Sequence, residues 1–320
     1  MTAPLLDCLC AGIVVADHVC EPVDHVPAPG ELVLTRRMDL TTGGCAANVA
    51  MNLVRLRRRA AVAGCVGDDI FGRCVRETLA AGGVNCDNLR QVAGRDTSGT
   101  LIINSRGEDR RFIHSIGAND EFTGAEVTAD LLRTARVLYL GGYCLCDGLA
   151  TESAAAMFQT ARALGVPTVL DVVLPGAGDF RPRLEPVLRW TDVFLPNCDE
   201  ARLITGLDEP MAQADELCRW GAATVVITCG PDGAVLVSQT NRVQSGGHAV
   251  EFVDGTGSGD AFAAGYIHAL LDGRDEIECL RYGSALGASC VRACGATTGV
   301  FDPAELAGFL DLHELPMTRR

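Results

Sequence analysis

Short apolar runs alternate with amphipathic segments along most of the chain. Short apolar or β-branched runs predict buried strands, whereas apolar residues spaced three and four apart predict helices. By this pattern strands are predicted at residues 5–15, 60–64, 137–140, 167–172, 192–195 and 223–228, and helices at 46–56, 71–81, 151–164, 199–205, 211–220, 257–271 and 276–293. Because buried strands that alternate with helices indicate a parallel sheet covered on both faces, the predicted fold class is α/β.

Two segments interrupt this alternation. Residues 17–42 and 98–115 lack a helical period and carry polar-rich alternation, as in Arg111-Phe-Ile-His114. Such alternation is typical of strands with one exposed face. We therefore expect both segments to form a small sheet outside the main core. Because no low-complexity linker divides the chain and no internal repeat is found, we predict a single domain over residues 1–320.

Charge and composition exclude several classes of function. With 27 Lys and Arg against 41 Asp and Glu, the formal net charge is −14, which argues against nucleic-acid binding because phosphate contacts need a basic surface. The apolar runs are far shorter than a membrane span, and the N-terminus does not resemble a signal peptide. The 15 cysteines include no C-x-x-C pair, so we interpret them as reduced, buried thiols rather than as zinc ligands or disulfides. We expect a cytoplasmic protein that contacts neither nucleic acid nor membrane.

The strongest chemical signal is the glycine-rich loop Asp254-Gly-Thr-Gly-Ser-Gly-Asp260, which leads directly into an apolar helix. Backbone N–H groups of Gly257, Ser258 and Gly259 at the helix N-terminus would favour an anion such as phosphate. Asp260 would lie beside that anion, where its carboxylate could take a proton from an attacking hydroxyl. A flexible turn followed by an ordinary helix-starting acid explains the same residues. The loop is neither a Walker A motif nor a dinucleotide fingerprint.

A second glycine pair precedes the first predicted helix, in Gly43-Gly-Cys-Ala-Ala-Asn48. Gly43 and Gly44 can bring backbone close to a ligand because they have no Cβ. The amide of Asn48 can both donate to and accept from hydroxyl groups. The alternative is a loop with Asn48 on a solvated helix face.

Together these motifs resemble the ribokinase-like (PfkB) carbohydrate kinases, in which Gly-Gly-x-Ala-x-Asn is followed by Asp-x-Thr-Gly-x-Gly-Asp. Further similar segments are Gly12–Asp17 (the family's first strand), Gly30-Glu31 with the polar strand after it (the lid), Pro196-Asn-Cys-Asp-Glu200 (the N-x-x-E motif) and Thr228–Leu236 (the nucleotide-binding strand and turn). The similarity spans residues 5–309. It implies a three-layer α/β/α ribokinase-like fold with a central, mostly parallel sheet and a small β lid from segments at about 14–42 and 97–117.

The resemblance implies ATP-dependent transfer of the γ-phosphoryl group to a primary hydroxyl of an unphosphorylated sugar or sugar acid. Asp260 is the implied general base, and the N–H groups of residues 257–259 would hold the transferring phosphoryl oxygens. Asn197 and Glu200 would order water and Mg²⁺ near the triphosphate, since Mg²⁺ keeps much of its hydration shell. A polar turn leading into a helix is the structural alternative for these two residues.

The resemblance also assigns residues to the nucleotide and to a second cation. Thr228, Gly230 and Gly233 would line the nucleotide, although Pro-Asp-Gly at residues 231–233 is also a good turn signal. Asp254 matches one ligand position of a monovalent cation, such as K⁺, that many relatives bind.

For the substrate, the resemblance implies that Asp17, Gly43, Gly44 and Asn48 bind sugar hydroxyls. A carboxylate such as that of Asp17 can accept two hydroxyl hydrogen bonds. Ribokinase itself carries Gly-Gly-Lys-Gly-Ala-Asn, and the Lys is replaced here by Cys45, which argues against ribose as the substrate.

Two further positions bear on substrate choice. Tyr143 occupies the region where relatives place substrate-selective side chains, and it could either stack on a sugar or base or pack under the lid. Arg110 and Arg111 lie in the second lid segment, where either could reach an acidic substrate or form a solvated pair.

Two other functions stay open beside the sugar kinase. One is a nucleoside kinase of the same family, with Tyr143 or Phe112 over the base. The other is a catalytically silent binding or regulatory relative, against which the intact Asp260, Asn197 and Glu200 weigh. Because an exposed apolar lid face often pairs with a second copy, we expect a homodimer formed through the lids.

Overall fold

Two β-sheets organise the chain in a computed structural model that describes residues 5–107 and 111–319. The strands are β1 (Leu6–Gly12), β2 (Val15–Cys20), β3 (Met38–Gly43), β4 (Ala60–Gly67), β5 (Asn85–Val92), β6 (Gly99–Ile103), β7 (Arg111–Ser115), β8 (Ala135–Gly141), β9 (Thr168–Leu170), β10 (Val193–Phe194), β11 (Thr224–Thr228), β12 (Ala234–Ser238), β13 (Arg242–Ser245) and β14 (Met317–Arg319). The α-helices are α1 (Cys45–Arg55), α2 (Ile70–Ala81), α3 (Ala129–Leu132), α4 (Thr151–Ala163), α5 (Arg181–Leu188), α6 (Cys198–Thr205), α7 (Pro210–Arg219), α8 (Ser258–Leu271), α9 (Glu276–Cys290) and α10 (Pro303–Leu312).

The large sheet has ten strands in the order β14-β13-β12-β11-β10-β9-β8-β1-β4-β5. Every pair from β11 to β5 is parallel, and the three pairs from β11 to β14 are antiparallel. Strand β4 is buried along its whole length, because helices cover a parallel sheet on both faces. The prediction of a ribokinase-like α/β fold with a central, mostly parallel sheet is therefore confirmed.

The small sheet has the order β3-β2-β6-β7 and contains the strands of the two predicted lid segments. Its central pair, β2 and β6, is parallel, and the two outer pairs are antiparallel. The predicted lid is thus confirmed as a separate sheet. Arg110, which the sequence offers as a substrate contact, lies outside the described residues.

The predicted strand at residues 5–15 is wrong at its end, because the chain leaves the large sheet at Gly12. A Cβ at Gly12 would lie 2.1 Å from the carbonyl oxygen of Gly141, and its φ of +123° is one that side chains rarely adopt. The chain turns there and enters the lid as β2. Strand β5 and helix α5 were not predicted, because β5 is mostly polar and α5 contains two prolines.

Within residues 5–107 and 111–319, the helices are all too short or too polar to cross a lipid bilayer.

Candidate functional site

The loop that precedes helix α8 presents backbone amides at the helix N-terminus. Gly257 has a left-handed φ of +73°, and a Cβ there would lie 2.4 Å from the Cβ of Ala296. The amide of Ser258 donates to the carbonyl oxygen of Gly255 at 3.3 Å. The amides of Gly257 and Gly259 have no acceptor among the described residues. Two of the three predicted N–H groups are therefore available to an anion at this helix end.

Asp260 lies in the first turn of α8 and contacts the start of helix α1. The side-chain amide of Asn48 donates to Oδ2 of Asp260 at 2.8 Å, although the two residues are 212 positions apart. Burial raises the pKa of Asp260, while hydrogen bonds from Asn48 and from the Cys45 thiol act in the opposite direction. The side-chain amide of Asn48 thus orients the Asp260 carboxylate. The alternative of a solvated Asn48 is wrong, since its exposed fraction is 4% and its Oδ1 is buried without a partner among the described residues.

Asp17 lies on lid strand β2 with its carboxylate near that of Asp260. Burial raises the pKa of Asp17 to about 6; the Thr100 hydroxyl acts against this, and the negative charge of Asp260 adds to it. Strands β2 and β3 pair so closely that a Cβ on Gly43 would lie 1.8 Å from Oδ2 of Asp17. Because Gly43 has no Cβ, the Asp17 carboxylate can pack against the backbone of Gly43.

Gly44 has a different reason to be glycine. It is the N-cap of α1 with a φ of +86°, and a Cβ there would lie 2.6 Å from the carbonyl oxygen of Ile13. The glycine pair thus directs α1 so that the side chain of Asn48 faces Asp260. The structure brings together the predicted residues of both glycine motifs.

Sequence reasoning missed Asp171, which follows strand β9 at the carboxyl edge of the sheet. It is buried, and it accepts a hydrogen bond of 2.7 Å from the Tyr139 hydroxyl. The Asp171 carboxylate, the Cys45 thiol and the Asp260 carboxylate lie within 4.8 Å of one another. Burial, with the negative charges of Glu200 and Asp260, raises the pKa of Asp171 well above its ordinary value. The sequence did contain a signal for Asp171, namely an acidic residue directly after a buried strand.

Asn197 and Glu200 form a capping box at the N-terminus of α6. Asn197 Oδ1 accepts from the Glu200 amide, and Glu200 Oε2 accepts from the Asn197 amide, both at 2.9 Å. Asn197 and Glu200 therefore have a structural role as helix-capping residues. Burial raises the pKa of Glu200 to about 7. The hydrogen bond from the backbone amide of Asn197 lowers this pKa, whereas the negative charges of Asp260 and Asp199 raise it further. Asp171 and Glu200 supply clustered carboxylate oxygens, which fit a hard cation such as Mg²⁺.

The predicted nucleotide turn lies beside this capping box. Thr228 forms a parallel bridge with Asn197, and its amide donates to the carbonyl oxygen of Pro196 at 3.2 Å. Gly230 and Gly233 both have positive φ, and a Cβ on Gly233 would lie 2.2 Å from the carbonyl oxygen of Ser245. The structure therefore joins the end of β11 to the start of α6.

Asp254 ties the glycine-rich loop to a neighbouring loop. It is buried, and its Oδ1 accepts from the amide and hydroxyl of Thr256 at 3.0 and 2.8 Å. Its Oδ2 accepts from the Gly295 amide at 2.9 Å. Asp254 therefore brings residues 295–298 next to the loop.

The side chains of Tyr143 and Arg111 make none of the contacts described above within this cluster, although the backbone amide of Tyr143 donates to the carbonyl oxygen of Asp171 at 3.2 Å. Tyr143 is fully buried, donates to the carbonyl oxygen of Arg183 at 3.2 Å and lies 5.0 Å from its guanidinium, which favours the packing interpretation. Arg111 is exposed on lid strand β7 opposite Ile103.

Comparisons with known proteins bear on the family and the fold. The family model described as pfkB family carbohydrate kinase matches residues 6–302. The ribokinase of Haemophilus influenzae is 28% identical over 308 residues, covering 94% of this chain and 97% of that protein. The nucleoside kinase of Methanothermobacter thermautotrophicus is 28% identical over 308 residues, covering 93% of this chain and 94% of that protein. The structure of Arabidopsis thaliana ribokinase complexed with ribose and ATP matches with a TM-score of 0.82 at 24% identity, covering 97% of this chain and 99% of that chain.

Proposed function

Because the chain belongs to the pfkB family of carbohydrate kinases, we propose that it transfers the γ-phosphoryl group of ATP to a primary hydroxyl of an unphosphorylated sugar or sugar acid. The observation that carries this proposal is the hydrogen bond from Asn48 to Asp260 beside the unpartnered amides of Gly257 and Gly259. A positioned carboxylate next to an anion-binding helix end is what phosphoryl transfer to a hydroxyl requires.

The proposed roles follow from the chemistry of each group. Asp17 and Asn48 hold sugar hydroxyls, and this leaves the primary hydroxyl at Asp260. The Asp260 carboxylate accepts the hydroxyl proton as the oxygen attacks phosphorus, and the bond from γ-phosphorus to the bridging oxygen of ADP breaks. The amides of Gly257 and Gly259 stabilise the charge on the transferring phosphoryl oxygens.

ATP and Mg²⁺ are the proposed cofactors. Bound Mg²⁺ would neutralise charge on the triphosphate. Glu200, through water, and Asp171 would provide the oxygen ligands on this chain. Burial, with the negative charges around them, raises the pKa of both carboxyl groups. Asn197, Thr228, Gly230 and Gly233 line the proposed nucleotide site; the bridge from Asn197 to Thr228 supports this grouping.

A substrate panel tests the proposed function. Purified protein with Mg²⁺ and ATP is offered D-ribose, D-fructose, D-gluconate, adenosine and inosine, and ADP is detected by a coupled assay. We expect turnover of at least one sugar or sugar acid above the rate without acceptor. Turnover of nucleosides without turnover of sugars would overturn the sugar assignment in favour of a nucleoside kinase. The similarity to the Methanothermobacter thermautotrophicus nucleoside kinase is the reason to test this alternative.

A monovalent cation such as K⁺ is a further part of the proposal. Asp254 is buried beside residues 295–298, whose carbonyl groups could complete such a site. Replacing K⁺ by tetramethylammonium at constant ionic strength should lower kcat, and equal rates in the two salts would contradict the cation's role.

The cytoplasm is the proposed compartment. All fifteen cysteines lie within the described residues, where none of them forms a disulfide bond and most are buried. A reducing compartment that supplies ATP suits such a protein.

Substitutions at Gly257 and Gly259 distinguish effects on stability from effects on catalysis. In Gly257→Ala the Cβ would meet Ala296 in a left-handed conformation, so we expect the melting temperature to fall by several degrees. In Gly259→Ala the Cβ meets no protein atom within 4 Å. We therefore expect a melting temperature equal to or slightly above that of the wild type, because alanine suits a helix better than glycine. We also expect a kcat lower by about tenfold or more, because the Cβ would enter the proposed phosphoryl site. Full activity of Gly259→Ala would contradict that placement.

We further propose that the lids of two copies pair. Met38, Leu40, Leu101 and Ile113 lie on one lid face and are exposed by 65%, 40%, 37% and 63%. Such a patch on a sheet favours association, which would also help to exclude water from the site.

Sedimentation velocity tests the lid dimer. We expect the wild type to sediment as a dimer and Ile113→Glu as a monomer, because the charge would be buried in the interface. Leu312→Glu, at an even more exposed apolar side chain on α10, is the control and should remain dimeric. A monomeric wild type at assay concentration would remove the dimer from the proposal.

A further inference from the structure

A row of three polar side chains crosses the lid. Asp17 on β2 lies directly opposite Thr100 on β6, and Thr100 lies directly opposite His114 on β7. Directly opposite residues of neighbouring strands point to the same face of a sheet. Thr100 and His114 therefore share the face that carries the proposed sugar-binding carboxylate, and neither is used in the proposed reaction.

The direction of each hydrogen bond in this row follows from the proton count. Thr100 has one hydroxyl proton. Thr100 lies directly opposite Asp17, and its hydroxyl lowers the pKa of that carboxyl, so we infer that the proton points to Asp17. Oγ1 of Thr100 then accepts from Nδ1 of His114, 3.0 Å away. His114 is therefore the Nδ1–H tautomer, and its Nε2 carries a lone pair.

The lone pair on Nε2 of His114 accepts no hydrogen bond from the described residues. Nε2 of His114 is buried and has no hydrogen-bond partner among the described residues. Burial lowers the pKa of His114, which keeps the ring neutral and Nε2 an acceptor. A buried polar atom without a partner destabilises a fold unless a ligand satisfies it.

We propose that His114 is a specificity-determining residue whose Nε2 accepts a hydrogen bond from a hydroxyl of a neutral polyhydroxyl substrate. This inference rests on the proposed function and narrows it. The row offers a carboxylate at Asp17 and a lone pair at His114, and both repel a carboxylate on the substrate. Arg111 does not compensate, because it is three residues from His114 and points to the opposite lid face. Neutral sugars are therefore selected over sugar acids.

Kinetic variants test the row. We expect His114→Phe, which keeps a ring but has no acceptor, to raise KM for the best neutral sugar by 10- to 100-fold with kcat within about threefold. His114→Gln places an amide oxygen near the position of Nε2 and should recover part of the KM. Thr100→Val, of nearly the same shape, should also raise KM. His18→Phe is the matched control, because His18 lies on the other lid face beside the ring of Phe71, and it should keep the wild-type KM.

A spectroscopic measurement keeps the inference testable apart from catalysis. With ¹⁵N-histidine labelling, we expect the ligand-free protein to show His114 protonated at Nδ1, and D-ribose or D-fructose to shift the Nε2 resonance. An Nε2–H tautomer, an unchanged KM in folded His114→Phe, or a wild type that prefers D-gluconate would each overturn the inference. If the wild type phosphorylates no compound of the panel, the proposed function fails, whereas the tautomer and its response to sugar still decide the role of His114.

Discussion

Asp260→Asn is expected to lower kcat by 10²- to 10⁴-fold, the range typical for loss of a general base. The substitution keeps the size of the side chain and removes the basic carboxylate, so ATP and sugar binding should stay close to wild type. The measurement is a steady-state ADP-coupled assay together with calorimetric binding of ATP. Because burial raises the pKa of Asp260, the variant should fold at least as well as the wild type.

The control for this prediction is Asp311→Asn. Asp311 is exposed at the end of helix α10, so its loss should leave kcat unchanged. Near-full activity of Asp260→Asn would show that another group accepts the proton. A wild-type protein that binds ATP and sugar but turns over neither would instead support a catalytically silent relative.

Asp17→Asn is expected to have opposite effects on catalysis and stability. The variant loses charge-assisted hydrogen bonds to two sugar hydroxyls, so kcat/KM should fall by about 100-fold or more. The pKa of Asp17 is about 6 in the folded protein, above its ordinary value near 3.9 in an unfolded chain. A carboxyl with a raised folded pKa destabilises the fold above that pKa, and the penalty vanishes below the unfolded pKa.

The pH dependence makes the prediction sharper. Above pH 7 the variant should gain up to about 3 kcal/mol in free energy of unfolding, and at pH 4 the gain should be small. In the wild type, KM for sugar should rise as pH falls through about 6, because the protonated carboxyl accepts fewer hydroxyl hydrogen bonds. Asp24→Asn is the control, since the Asp24 side chain is 84% exposed. Equal stability of Asp17→Asn and wild type at pH 8 would contradict the buried charge.

The two glycine motifs and the alternation of strands and helices were predicted from the sequence, because they are local. Gly-Gly before α1 and the loop before α8 each need a conformation that glycine allows, and this need is visible in the order of residues alone. The lid was predicted from the loss of helical period at residues 17–42 and 98–115. The break at Gly12 was not predicted, because it depends on the approach of Gly141 from another strand.

The roles of Asp171, Cys45 and His114 could not be predicted, because each depends on a partner far along the chain. Asp171 needs the hydroxyl of Tyr139 and the charges of Glu200 and Asp260. Tyr143 illustrates the reverse case, since its position in the sequence allowed a substrate contact and packing beneath Arg183 buried it.

The sequence by itself determined the fold class, the two glycine motifs and the family, since these depend on local conformation and on the order of residues. Only the tertiary structure decided which polar groups face one another. The bond from Asn48 to Asp260, the carboxylates gathered at the edge of the sheet, and the row from Asp17 through Thr100 to His114 all arise from register and packing. Hydrogen bonds and charge interactions depend on distances of a few ångströms, and only the folded chain sets those distances.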